Sequence, residues 1–333
     1  MPYKEDKKGQ LLQEGINEAG AMSSWIAAST AYSNHGISMI PVYIFYSMFG
    51  FQRIGDFAWA AGDSRARGFL VGGTAGRTTL NGEGLQHQDG HSQLFAQFIP
   101  NCRSHDPTFH YELATIFHYG LKRMYEEQND EYFYLTTMNE NYSHPDMPAG
   151  SEEGIIKGLY LLQEGQGKGP VVNLLGSGTI LHESLAAAET LESEYGCKVN
   201  VFSATSFNEL ARDGQICERH NLLNPGAEAQ TSWVSQCLAP HEGVTVASTD
   251  YMKLYAEQIR PYVPGPYATL GTDGFGRSGG RDELRRHFEV DAAHIVVTTL
   301  TALAEQKQVD AKKVAAAIKH YGIDAARPHP MTL

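Results

Sequence analysis

Two carboxylates, Glu14 and Glu18, stand four residues apart in Glu14-Gly15-Ile16-Asn17-Glu18-Ala19-Gly20, just ahead of a largely apolar stretch. A carboxyl at a helix N-terminus can carry a proton if a cleft closes over it; otherwise it sits in water and favours the helix dipole. His87 and His91, in His87-Gln88-Asp89-Gly90-His91, have a spacing that on a helix would aim both imidazoles at one metal. Gly82, Gly84 and Gly90 argue against a helix there, so proton transfer from a loop at a cleft is the better reading. Gly176-Ser177-Gly178 is half of a dinucleotide fingerprint, but Leu181 stands where the third glycine belongs. A tight strand-to-helix turn accounts for it. Cys102, Cys197, Cys217 and Cys237 are far apart with no C-x-x-C pair, which suits reduced thiols in a cytoplasmic protein better than zinc or disulfides. Tyr43, Phe45, Tyr46, Phe49 and Phe51 make an aromatic strand and turn that, taken alone, reads as core.

The elements that must position these groups alternate between strand-like runs and helical period. Helices are expected over 16–32, with Ile16, Ala19, Met22, Trp25 and Ile26 on its inner face, and over 51–61 and 111–127. Strands are expected over 42–46, 68–72 and 132–137, and residues 77–92 form a polar, glycine-rich loop long enough to be functional. Residues 139–153, with two prolines and no apolar period, are the expected linker. Beyond it the pattern repeats: strands over 171–175, 199–204, 243–248 and 267–270, and helices over 181–195, 251–262 and 292–304, the last capped by Asp291. Strand-helix alternation of this period predicts α/β architecture, with mostly parallel sheets covered by helices, as two domains in series.

The 333 residues are a soft prior for about two domains. Lys+Arg 26 against Asp+Glu 38 gives a net charge of -12, which excludes long-range attraction to nucleic acid or anionic lipid. No apolar run approaches the ~20 residues that span a bilayer, and the charged arm 1–10 is no secretory leader. A cytoplasmic chain is expected.

The strings LQEGINEAGAMSSWIAAS, YSMFGFQRIGDFAWAAGD, GGTAGRTTLNGEGLQHQDGHS and TTMNENYSHPDMP resemble the homodimeric pyruvate dehydrogenase first component, a thiamine-diphosphate enzyme related to transketolases. The likeness continues through LLGSGTIL, TSFNELARDGQ, VASTDYMKLYAEQ, GTDGFGRS and LRRHFEVDA, and so covers essentially the whole chain. It implies a partial pyrimidine-binding domain over 1–147 and a transketolase C-terminal-like domain over 148–333. It also implies thiamine diphosphate and Mg2+ as cofactors, pyruvate as substrate, and a homo-oligomer, with a dimer expected. The acetyl group would pass to a lipoyl arm of the dihydrolipoyl acetyltransferase core.

By that resemblance Glu18 is the glutamate that faces the aminopyrimidine ring, where burial among aromatics would let it supply a proton. Tyr46 and Phe49 match aromatics packed on the pyrimidine, and His87 matches a histidine of the active-site cleft. The family's GDG-to-Asn motif for magnesium and diphosphate has no counterpart here, Gly62-Asp63-Ser64 being the nearest string. The metal site is therefore expected in a preceding domain, and the chain alone is expected not to turn over pyruvate. Another transketolase-superfamily enzyme of 2-oxoacids or ketoses, or a non-catalytic dimerisation module left by truncation, stays open at this point.

Overall fold

A computed structural model describes residues 4–333; Met1, Pro2 and Tyr3 of the expected N-terminal arm lie outside the described residues. After an exposed segment, α1 (Glu18–Ser29) starts where the Asn17 side chain accepts a hydrogen bond from Gly20 N at 3.1 Å. This cap, and Gly15 at φ 69°, begin the helix two residues later than apolar spacing suggests. Ile16, expected on the inner face, is instead 97% exposed. The helix breaks at Thr30 and resumes as the short α2 (Ala31–His35), closed by Gly36 in the left-handed region. β1 (Val42–Tyr46) then runs straight into α3 (Ser47–Asp63), so that helix begins four residues before the expected Phe51. Gly50 makes the tight corner practicable, because a Cβ there would lie 2.0 Å from the Phe45 ring.

β2 (Phe69–Gly73) leads into the glycine-rich loop, which contains a single 3-10 turn at Leu85–His87. α4 (Ser92–Gln97), β3 (Cys102–His105), α5 (His110–Leu121) and β4 (Tyr132–Thr136) complete a parallel sheet of order β1-β2-β4-β3. α6 (Glu152–Lys157) and β5 (Tyr160–Gln163) open the second sheet. There β6 (Val171–Gly176), α7 (Ile180–Ser193), β7 (Lys198–Ser203), α8 (Phe207–Leu223), α9 (Trp233–Leu238) and β8 (Val244–Ser248) follow in turn. Then come α10 (Leu254–Glu257), β9 (Tyr267–Leu270), α11 (Arg281–His287), α12 (Ala292–Glu305) and α13 (Ala311–His320). The order is β5-β7-β6-β8-β9, with β5 antiparallel and the rest parallel.

Asp291 caps α12 as expected, accepting from His294 N at 2.9 Å. The helix expected over 251–262 shrinks to α10 and a 3-10 turn at Arg260–Tyr262, since Pro261 cannot continue an α-helical hydrogen-bond ladder. The stretch read as the linker is fastened rather than loose: Tyr142 donates to Thr108 O at 2.5 Å and Glu140 pairs with Arg285.

One apolar cluster runs from Met22, Trp25 and Phe133 through to Val172, Leu191 and Ile295, so the two sheets share a core. Between them lies a polar seam. Glu112, fully buried, accepts from Thr108 N at 2.6 Å, Phe109 N at 2.9 Å, Tyr160 Oη at 2.7 Å and Ser203 Oγ at 2.6 Å. Asp250, after β8, accepts from the amides and hydroxyls of Thr78 and Thr79 at 2.7–3.1 Å. Gly76 allows that approach, with φ 91° and no room for a Cβ against the Asp250 carboxylate. Asp106 Oδ1 accepts from Thr136 at 2.6 Å and Tyr251 at 3.3 Å.

Replacing Glu112 by Ala strands the Ser203 hydroxyl and two amides and leaves Tyr160 Oη only Tyr111 Oη, so unfolding stability should fall by at least about 3 kcal/mol, read as a lower urea midpoint. A loss under about 1 kcal/mol would show that the seam does not depend on this acceptor. Asp106 predicts the opposite sense of pH response from an ordinary ion-paired acid. Burial pushes its carboxyl up to about 7, with the Asp250 charge adding, against hydrogen bonds from Thr136 and Tyr251. The folded state thus keeps a proton that the unfolded chain releases near pH 4, and this stabilisation fades as pH rises through about 7. Denaturant midpoints at about pH 5 and about pH 7.5 should differ by less in Asp106→Asn than in the parent; equal pH slopes would refute the assignment.

Candidate functional site

Parallel sheets bind ligands beyond the carboxyl ends of their strands, and the sequence-selected residues gather at that edge. Tyr46 is the last residue of β1, Phe49 lies in the first turn of α3, and His87 ends the 3-10 turn after β2. Glu18 is the first residue of α1. The His87 ring meets Tyr46 edge-on at 5.3 Å between centroids and Phe49 at 5.1 Å, while Tyr46 and Phe49 are 6.2 Å apart. The Arg53 guanidinium lies 4.4 Å over the Phe49 ring, and its Nη1 reaches Glu18 Oε1 at 2.5 Å. All four selected residues therefore form one contiguous group, joined by Arg53.

Arg53 was not singled out from the sequence. The available signal was its position four residues after Phe49, one turn along the same helix face. Its presence also corrects the expectation that Glu18 would be enclosed by aromatics, since a cation occupies that side. Nearby, burial pushes the Tyr43 hydroxyl up to about 12, and the charge of Glu18 adds to the rise. The Glu18 side chain is 17% exposed, with Oε1 turned to Arg53. Glu14, equivalent to Glu18 by type and spacing, is separated from it in space: it lies exposed and accepts from Ser24 Oγ at 2.6 Å.

His87 Nδ1 lies 3.1 Å from Glu83 O. A carbonyl can only accept, so Nδ1 carries hydrogen, and Nε2 has no hydrogen-bond partner among the described residues. His91 is occupied differently: Gln52 Nε2 donates to its Nε2 at 2.7 Å. Burial pushes the His91 pKa down, Arg77 adds to this and Asp89 opposes it, all of which suits a neutral ring accepting that bond. Among the described residues no group of three or more His, Cys, Asp or Glu side chains is placed to hold a metal. The Gly176-Ser177-Gly178 turn has no room for a phosphate, because a Cβ on Gly178 would lie 2.7 Å from Asp106 Oδ2. Its Ser177 hydroxyl donates to Thr249 at 2.9 Å. All four cysteines are free thiols, with Cys102 and Cys197 buried. No described helix is long and apolar enough to cross a membrane.

A family model described as the pyruvate dehydrogenase E1 component middle domain matches residues 1–145, and one described as the transketolase-like C-terminal domain matches residues 158–291. The pyruvate dehydrogenase E1 component of Pseudomonas aeruginosa is 61% identical over 333 residues, covering 99% of this chain and 38% of that protein. That of Escherichia coli K12 is 58% identical over 330 residues, covering 98% and 37%. The chain belongs to the pyruvate dehydrogenase E1 component family. It spans under two-fifths of the length of these E1 relatives. Solved transketolases share the fold: that of Campylobacter jejuni gives a TM-score of 0.64 at 17% identity, over 83% of this chain and 38% of that one. A split-gene transketolase described as an inactive beta4 tetramer gives 0.58 at 16% identity, over 87% and 83%. Each E1 string that marks the candidate site, from GINE to LQHQDGH, lies in the middle-domain match.

The Arg53–Glu18 pair joins a half-exposed cation to its partner, a geometry that orients groups more than it stabilises a fold. Arg53→Met should change unfolding stability by less than about 1 kcal/mol in a thermal melt. A loss above about 2 kcal/mol would make Arg53 a structural support of the α1–α3 packing.

Proposed function

We propose that this chain forms the pyrimidine-binding part and C-terminal domain, divided near residue 147, of an enzyme that oxidatively decarboxylates pyruvate and passes the acetyl group to a lipoyl arm of dihydrolipoyl acetyltransferase. The observation that carries this reading is the contiguous Glu18–Arg53–Phe49–His87–Tyr46 group at the carboxyl edge of a parallel sheet, in a chain of the E1 family.

The residues fit an aminopyrimidine ring. Glu18 Oε1 is held by Arg53, which orients the carboxyl and leaves Oε2 with no hydrogen-bond partner among the described residues to meet a ring nitrogen. Tyr46, 48% exposed, and Phe49 offer ring faces for stacking, worth roughly 0.5–1.5 kcal/mol beyond buried area for an aromatic pair. When bound, thiamine diphosphate would supply a thiazolium carbon able to attack the pyruvate carbonyl. Glu18 would hold or pass a proton at Oε2, and His87, with Nδ1–H fixed on Glu83 O, would present Nε2 to a substrate oxygen. Diphosphate and Mg2+ need carboxylate, amide and carbonyl oxygens, which we assign to E1 polypeptide other than these residues, so that the chain alone would not turn over. Association between copies, with a dimer as the simplest form, is supported by β1. It is a sheet edge with Val42 and Ile44 exposed beside Ile37 and Ile40. Free thiols are consistent with a cytoplasmic setting.

In a complete E1 enzyme carrying this segment, Glu18→Gln should lower pyruvate-dependent dye reduction by about 100-fold or more. Cofactor affinity, titrated by calorimetry, should change far less. Turnover within about threefold of the parent, under about 1 kcal/mol of barrier, would remove Glu18 from this role.

A further inference from the structure

The segment after β9, the helix α11, Arg327 and Leu333 border an open cleft of about 530 Å³. Its walls include Arg277, Ser278, Glu283, Leu284, His287 and Arg327. Arg327 Nη2 lies 2.6 Å from His287 Nδ1. A guanidinium can only donate, so Nδ1 accepts and the neutral ring carries its hydrogen on Nε2. That Nε2–H is buried without an acceptor among the described residues, and so is Arg277 Nε. The other arginines of this region are matched: Arg285 pairs with Glu140 and Glu183, and Arg286 with Asp291. Glu283, the carboxylate on the cleft wall, is exposed and turned to accept from Gly280 N at 3.0 Å. The cleft thus gathers two donors whose acceptors are missing, Arg277 Nε–H and His287 Nε2–H, beside the Arg327 guanidinium, which donates to His287 Nδ1 and, at 3.4 Å, to Arg286 O.

The geometry points to a binding site for a small phosphomonoester in this cleft, a proposal independent of the activity proposed above. Arg277 and Arg327 with the His287 imidazole line one cleft and can offer a donor to each of the three terminal oxygens of such a group, whereas a carboxylate has two. The volume lies within the range of small-molecule sites, and Leu284 gives the ligand's body an apolar wall. A small rotation of His287 or Arg277 into the cleft would give each stranded hydrogen an oxygen. The site also abuts the His87 turn: Gln88 Nε2 donates to Arg277 O at 2.6 Å, and Arg277 N donates to Gln88 Oε1 at 2.8 Å. A Cβ on Gly276 would lie 2.5 Å from Leu85 O, so the two segments touch with no space between them.

The test is calorimetric titration of the 333-residue chain at constant ionic strength with sulfate, glycerol 3-phosphate and acetate. Sulfate is a tetrahedral dianion whose charge is constant through neutral pH. Both tetrahedral anions should saturate one site, with acetate weaker by about tenfold or more. Arg277→Gln and Arg327→Gln should each weaken sulfate by about tenfold or more, and Arg327→Lys, which keeps the charge, by less. The His287 pKa is pushed down by burial, then by Arg327 and Arg277, against Glu289; Glu283 and Arg286 also neighbour it on α11. An anion that draws the Arg327 guanidinium off Nδ1 frees that nitrogen for a proton and opposes that push, so binding takes up a proton and sulfate affinity should rise from about pH 8 to about pH 6. His287→Gln should abolish that rise. Absence of saturable binding, or binding that all of these variants leave unchanged, overturns the proposal.

Discussion

Burying a carboxyl between two sheets is tolerable only where every approach to it is made by a donor, and Glu112 meets that condition. Two amides of its own helix start and two hydroxyls of the opposite sheet converge on it. Because an unmatched buried acceptor is costly, the sheets cannot slide without losing these bonds together. Asp250 applies the same constraint at another point of the seam, while Asp106 takes bonds from Thr136 and Tyr251 on Oδ1 alone and leaves Oδ2 buried without a donor among the described residues. Asp250 belongs to the second sheet yet holds the loop that leaves β2 in the first. The polar seam and the shared apolar core act on different features: the core drives association of the layers, and the seam sets their register.

The candidate site inherits its geometry from that register. His87 sits on a glycine-rich turn with little core of its own. It is held by Glu83 O from within the loop and through Gln88 by the backbone at Arg277. The aromatic side of the site is locally determined, since Tyr46 and Phe49 stand three residues apart across the tight β1–α3 corner that Gly50 permits. Arg53 then couples the two helices, lying on Phe49 of α3 while paired with Glu18 of α1. A rigid strand-to-helix corner and a loop pinned from the second sheet are thereby brought to one place.

The elements legible in the sequence are those whose burial leaves a local pattern. β1, β2, β4, β6 and β8 are apolar, β-rich runs, and α7 and α12 carry apolar residues at helical steps with a stop at Gly196 and a cap at Asp291. β3 gave no such signal. Its sequence, Cys-Arg-Ser-His, is polar because it lines the seam: Arg103 pairs with Glu209, Ser104 Oγ accepts from Asn208, and His105 meets Ile156 O. α8 went unread for a related reason, since its inner face mixes Phe207, Leu210 and Ala211 with the buried, hydrogen-bonded Asn208.

Composition, period and turn residues by themselves determined an α/β chain with a helix starting near Glu18, an aromatic corner at Tyr46–Phe49 and a functional-looking loop around His87. They left Glu14 and Glu18 indistinguishable; the likeness to the E1 strings chose between them, and only the tertiary structure placed Glu18 against Arg53 and Glu14 on the outer surface. The same holds for the acids of the seam, whose partners lie 91 residues away for Glu112 and Ser203 and 171 for Asp250 and Thr79. The reason is physical. Backbone preference and amphipathic period act over a few neighbouring residues, whereas a buried polar atom is satisfied by whatever donor the packed chain brings within about 3 Å, and that donor leaves no mark on the sequence around it.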